Sequence, residues 1–173
     1  LNESYSKEYT EAVDTVFREL EVHKVRLLTE DQLNDEQKDF LTQFFYDKLN
    51  GSVNPIWLNE IDDLSTLEDN RIYLAVEKAE NDKKKKYAVV KVPDRVYGRW
   101  VKVPASDGFD NIMYLDDVIR YCLPLVFLGF KESTYRAFSF KFTKDAEMEM
   151  DNDADFGTME KIALGVSSRK KGE

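Results

Sequence analysis

Two alternating segments constrain this chain most: "RIYLAVEKAE" and "KYAVVKVP", separated by the polar stretch "NDKKKK" between residues 71 and 93. In the first, Ile72, Leu74 and Val76 face one way and Tyr73 and Ala75 the other, which is the period of a strand. The second stops at Pro93, which has no amide to give to a ladder. Two such runs joined by a linker of turn length predict a β-hairpin, so the fold is expected to contain antiparallel sheet. "GRWVKVP", closed by Pro104, and "FDNIMYL" are two further strand candidates. "YRAFSFKFTKDAEMEM" alternates most clearly, with Phe138, Phe140 and Phe142 on one side and Ala137, Ser139, Lys141 and Thr143 on the other.

Helical periodicity frames these strands. Tyr5, Tyr9, Ala12, Val13, Val16, Phe17 and Leu20 recur at steps of three and four and share one helical face. "HKVRLLTE" reads as a short strand or extended link. Asn34, with Gln37 three positions on, has the pattern of a capping box for a second helix. Its expected buried stripe is Phe40, Leu41, Phe44, Phe45 and Leu49, and Gly51 supplies a left-handed stop. Asp116 or Asp117 can cap a third helix with Val118, Ile119, Cys122 and Leu123 inward, which Pro124 should kink or end. Thr158 to Ser168 predicts a last helix with Met159, Ile162, Ala163 and Val166 inward.

The strands bunch instead of alternating strictly with helices, so the expected class is α+β. The expected arrangement has N-terminal helices packed on a mostly antiparallel sheet, one inserted helix and a C-terminal helix. A chain of 173 residues fits one domain, 1–173, made of a helical lead-in (1–51), a sheet region (52–150) and a C-terminal helix and tail (151–173). Hydrophobic residues make up 42% of it, enough for a packed core. The chain lacks an initiator Met and stops abruptly at "SSRKKGE", so a piece of a longer protein is expected.

Charge and residue chemistry narrow the function. The formal net charge is −9, which repels nucleic acid at long range and leaves any polyanion contact to a local patch. Lys83, Lys84, Lys85 and Lys86 are the one such patch, and a solvated hairpin turn explains them better than a phosphate site does. Cys122 is the only cysteine, so no disulfide forms within the chain, and its place in an apolar stripe predicts a core thiol. His23 is the only histidine, without a cysteine nearby, and is expected at the surface with no zinc site. Asp151, Asp153 and Asp155 begin like a calcium loop, but Phe156 and Ile162 stand where that loop needs Gly and Glu. No run of 18 apolar residues crosses a membrane. No nucleophile, base or phosphate-loop motif occurs, so no catalytic, cofactor or metal residue is assigned.

One resemblance is specific. "RIYLAVEK", "KKYAVVKVPDRVYGRWVKVP", "IMYLDDVIRYCLPLVFLGF" and "YRAFSFKFTKDAEMEMD", preceded by "LLTEDQLNDEQKDFLTQFFYDKL" and "VNPIWL", follow one another with the spacing of the middle domain of bacterial polyphosphate kinase. The resemblance runs from about Ser4 to Arg169. It implies a full-length enzyme that moves the terminal phosphate of ATP reversibly onto polyphosphate through a phosphohistidine, with magnesium. In that family the phosphoacceptor histidine and the arginines that hold phosphate and magnesium belong to the C-terminal half. His23 lies in the helical lead-in, so no catalytic role carries over to it. The resemblance further implies a share in a homodimer interface, ATP and polyphosphate bound mainly by other domains, no nucleic-acid partner, and a cytoplasmic or peripheral inner-membrane location.

Two other functions compete. A stand-alone acidic interaction module would bind a protein through Phe40, Phe44 and Phe45 or a sheet edge, and would be encoded at close to this length. A small hydrolase would pair His23 with Asp14 or Glu19, but nothing supplies it with an oxyanion site or a nucleophile.

Overall fold

The computed structural model describes residues 2–61, 67–80, 84–127 and 133–144. The expected C-terminal helix, Asp151, Asp153 and Asp155, and Lys83 lie outside them. In chain order the elements are α1 (Asn2–Val22), β1 (Val25–Leu27), α2 (Asp35–Phe44), β2 (Pro55–Trp57), β3 (Arg71–Glu80), β4 (Lys84–Lys91), α3 (Asp94–Tyr97), β5 (Trp100–Ser106), β6 (Phe109–Tyr114), α4 (Leu115–Tyr121), α5 (Leu123–Val126) and β7 (Ser133–Phe142). The class is α+β, as expected. The strands divide between two sheets, a three-stranded one in the order β1-β6-β5 and a four-stranded one in the order β2-β4-β3-β7. Contacts group the described residues into two compact units, 2–53 with 93–127 and 54–92 with 133–144.

In the first unit, the Asn34 side chain accepts from the Gln37 amide at 2.9 Å and the Gln37 side chain accepts from the Asn34 amide at 3.1 Å. Such a cap is worth about 1 kcal/mol. Beyond Phe44 the helix widens into a π turn over Phe45–Leu49, where Asn50 N–H donates to Phe45 O at 2.7 Å. Leu41, Phe45 and Leu49 are buried, and Gly51 leaves the helix at φ 88°. Phe40 and Phe44 stack on each other and are only half-buried. β1 pairs parallel with β6, and β5 pairs antiparallel with β6. Asp107 and Gly108, both at positive φ, close the β5–β6 hairpin in two residues, the geometry that matches strand twist.

Two sequence expectations shift here. Pro104 does not close its strand: β5 runs on to Ser106 through a register shift between Val103 and Ser106, where a residue without an amide costs nothing. Asp116 and Asp117 do not cap α4, which starts at Leu115 with Tyr114 before it. Their carboxylates are engaged by Arg99 and Arg120 instead. The expected inward face, Val118, Ile119, Cys122 and Leu123, is buried, and the helix breaks at Cys122 ahead of Pro124. On α1, Tyr5, Tyr9 and Val16 are exposed, while Val13, Phe17 and Leu20 are half-buried.

In the second unit, the predicted hairpin is present as β3 and β4, with Tyr73 opposite Lys91 through to Glu80 opposite Lys84. β7 pairs along the whole of β3 on its other side, from Arg71–Phe142 to Glu80–Ser133. Tyr73 anchors one face: its ring packs on Phe140 (5.8 Å) and edge-on to Phe142 (6.5 Å), and its hydroxyl accepts from Glu68 N–H at 2.8 Å. Leu67 and Val89 complete that cluster. Leu74, Val76, Lys78, Ala88 and Val90 are buried on the opposite face.

Candidate functional site

The three described residues of the tetralysine do not form a turn. Lys84, Lys85 and Lys86 are rungs of β4, opposite Glu80, Ala79 and Lys78. Strand alternation therefore sends neighbouring lysines to opposite faces and splits the apparent patch. Lys85 lies beside Glu77, donating to both carboxylate oxygens at 3.1 and 3.2 Å. That hydrogen bond holds the Glu77 carboxyl below its ordinary value. Lys86 is on the other face, with Nζ 5.6 Å from the centre of the Trp57 ring. The turn reading fails because β4 already begins at Lys84, where cross-strand pairing with Glu80, and not the composition of the run, fixes the backbone.

Trp57, Leu58, Asn59, Glu60, Lys85, Lys86 and Tyr87 line an open hollow of about 610 Å³. Lys85 is matched by Glu77, and Glu60 lines the same hollow as Lys86. Among the described side chains this balance leaves little excess positive charge to hold a polyanion. Its aromatic and cationic parts suit one weakly bound anion at most.

The other candidates are equally plain. His23 is exposed just beyond α1, and no hydrogen bond joins its ring to Asp14 or Glu19 among the described residues. It therefore lacks the oriented partner that a base or nucleophile needs. The Cys122 thiol is fully buried, 3.8 Å from Leu41 O, and burial pushes its pKa up to about 12. It is a core thiol, as expected, with negligible thiolate at neutral pH. Among the described residues no three His, Cys, Asp or Glu side chains gather closely enough to hold a metal ion. No described helix is long and apolar enough to cross a membrane. Phe45, one of the three aromatics that an interaction module would present, is buried core.

Sequence reasoning missed two polar clusters, both in the first unit. Gln37 Nε2 donates to Pro104 O at 2.9 Å, and Asn111 Nδ2 donates to Pro104 O and to Ser106 Oγ at 3.0 and 2.9 Å. Both amides are buried and secure the irregular part of β5. Gln37 thus caps α2 with its oxygen and ties it to β5 with its nitrogen. The only sequence hint was Pro104 inside a strand, since the irregular pairing around it leaves a carbonyl in need of a partner. In the second cluster, Arg120 bonds Glu30 at 3.3 Å and also Asp117. Burial pushes the Asp117 carboxyl above its ordinary value, although Arg120 pulls it the other way. Neither cluster pairs a nucleophile with a base: the first ties α2 and β6 to β5, and the second ties α4 to Glu30.

Comparison with known proteins gives this fold its family. The family model for the polyphosphate kinase middle domain matches residues 36–173. The polyphosphate kinase of Vibrio parahaemolyticus is 32% identical over 173 residues, covering 98% of this chain and 24% of that protein. The polyphosphate kinase of Escherichia coli K12 is 29% identical over 171 residues, covering 96% of this chain and 25% of that protein. The crystal structure of polyphosphate kinase from Porphyromonas gingivalis superimposes with a TM-score of 0.68 at 25% identity, covering 93% of this chain and 26% of that one. The chain thus spans about a quarter of the length of the curated relatives it matches. On its sequence and its fold alike, the chain belongs to the polyphosphate kinase middle-domain family.

Proposed function

We propose that this chain is the non-catalytic middle domain of a polyphosphate kinase, acting as scaffold and contributing to a homodimer interface. The parent transfers the terminal phosphate of ATP reversibly to polyphosphate through a phosphohistidine carried outside these residues. ATP, polyphosphate and magnesium are bound mainly by those other parts of the parent, which works in the cytoplasm or at the inner membrane face. The observation that carries this reading is the family match over residues 36–173, set beside relatives about four times as long. The chemistry of the described residues supports it: the one histidine is solvent-exposed without a carboxylate on its ring, and the one thiol is buried and protonated. Among the described residues, the buried polar groups tie one element to another and do not converge on a reaction centre.

The test is incubation of the purified chain with terminally labelled ATP, magnesium and polyphosphate. We expect no label on the protein and no transfer to polyphosphate. Label on His23, or steady nucleotide turnover by the chain alone, would overturn the proposal.

A further inference from the structure

One face of the four-stranded sheet holds a hollow whose charges are sorted by the strand register. The pairing Ile56–Val89–Ala75–Phe138 runs straight across β2, β4, β3 and β7, so these side chains form one row on that face. The next row is Tyr87–Glu77–Arg136, and Lys85, opposite Ala79, belongs to the row beyond it. Ala75 is too small to fill its place. It floors a hollow of about 330 Å³ walled by Phe138, Val89, Tyr87 and Leu58. Val89 is buried, whereas Phe138, Leu58 and Tyr87 are 64%, 51% and 48% exposed. β4 and β7 stand roughly 9.6 Å apart on either side of β3, twice the spacing of paired strands, which is wide enough for one aromatic ring to lie on Ala75.

The two charged groups beside the hollow lean opposite ways. Glu77 accepts from Lys85 on both carboxylate oxygens, at 3.1 and 3.2 Å, and is thereby drawn toward the row away from Ala75. Arg136 leans back toward the Ala75 row, with its guanidinium 5.9 Å from the centre of the Phe138 ring. Among the described residues no carboxylate forms an ion pair with Arg136. A cation therefore stands at the edge of an apolar floor, in a chain whose net charge is −9. We propose that this hollow binds a small aromatic carboxylate, with its ring on Ala75 between Phe138 and Val89 and its anionic end on the Arg136 guanidinium. The volume lies at the small end of ligand pockets, which run from roughly 300 to 1,000 Å³. The planar fork of an arginine matches the two oxygens of a carboxylate. A purely inorganic anion would gain nothing from the apolar floor, and a neutral ring would leave Arg136 unmatched. A second copy of the chain would bring a further net charge of −9 to the same face.

The test is titration of the full 173-residue chain with naphthoate, followed by amide chemical shifts, with the neutral analogue naphthamide and with acetate as controls. We expect saturable shifts from naphthoate centred on β3, β4 and β7, weaker binding of naphthamide, and none of acetate. Ala75→Leu fills the hollow and should weaken naphthoate at least roughly tenfold, because the ring loses its apolar floor. Arg136→Gln, at an exposed site, should weaken naphthoate roughly three- to fivefold, the scale of one solvent-exposed charge pair, and leave naphthamide unchanged. A general loss of folding would not produce that split. No saturable binding, shifts centred elsewhere, unchanged affinity in Ala75→Leu, or equal losses for both ligands in Arg136→Gln would each overturn the proposal. A chain that sediments as a dimer and that Ala75→Leu turns monomeric would also overturn it, in favour of a second copy on this face.

Discussion

The two units of this chain protect their strands in different ways. The first lays α2 against β5 and α4 against β5 and β6. It also spends two buried amides, Gln37 and Asn111, on one irregular strand. The second has no α-helix among its described residues and is built on cross-strand pairs, with β3 paired along its length on both sides. In the first, specificity comes from polar groups that fit only one arrangement. In the second it comes from register, where a slip of one residue would turn every side chain to the other face. The difference teaches where each unit should be fragile: the first at its buried amides, the second at its central strand.

The largest effects should come from the apolar centres, and they should be equal in the two units. Ile119→Ala in α4 and Leu74→Ala in β3 both truncate fully buried side chains, and each should cost about 2–5 kcal/mol in urea unfolding. A cost below about 1 kcal/mol for either would mean that its unit is not packed as described. Smaller effects should separate the units. Asn111→Ala strips Ser106 Oγ and Pro104 O of a buried donor and should cost about 1–3 kcal/mol. Lys78→Met, at an equally buried site of the second unit, keeps the apolar stem and replaces a buried ammonium by an apolar group of similar length. Its cost should stay under about 1 kcal/mol. A reversed order would contradict the contrast between polar fixation and register.

Acid should divide the units again, by the least amount. In the second unit, hydrogen bonds from Lys91 and Arg71 hold the Glu68 carboxyl below its ordinary value of 4.5. A lowered value adds stability that is full above pH 4.5 and fades as pH falls through the folded value. Glu68 is half exposed, so solvent screens the pair and the effect is small. In the first unit, burial raises the Asp117 carboxyl above 3.8, so its contribution is greatest at low pH and is lost as pH rises through the folded value. Between pH 5 and pH 3, amide exchange corrected for intrinsic rates should therefore speed up more in β3 and β4 than in α4. Glu68→Gln should shrink that gap; loss of protection first in α4 would contradict the assignment.

Much of this architecture was legible in the sequence, for identifiable reasons. The β3–β4 hairpin, β7 and the Asn34–Gln37 cap all rest on local periodicity or a three-residue reach, which a single segment reveals. The division of strands between two sheets was not legible, because it depends on which strands pair, and β1 finds β6 across more than eighty residues. The lysines were misplaced because composition suggested a turn, whereas cross-strand pairing with β3 fixes their backbone. Asp107-Gly108 carried a hairpin signal that strand matching alone leaves unused. The amide cluster on Pro104 had the proline as its only hint, since nothing local to Asn111 says that a proline carbonyl will face it. For the site, residue chemistry already placed His23 at the surface and Cys122 in the core, because a lone imidazole and a thiol in an apolar stripe carry their own environments.

The central claim is that these residues hold scaffold geometry while the reactive imidazole lies elsewhere in the parent protein. The most direct measurement is kcat of the full-length parent carrying His23→Gln. The account predicts a value within about twofold of the unaltered parent, as expected for an exposed side chain remote from the chemistry. A loss on the order of 10²- to 10⁴-fold, the scale of a missing proton-transfer or nucleophilic group, would contradict it.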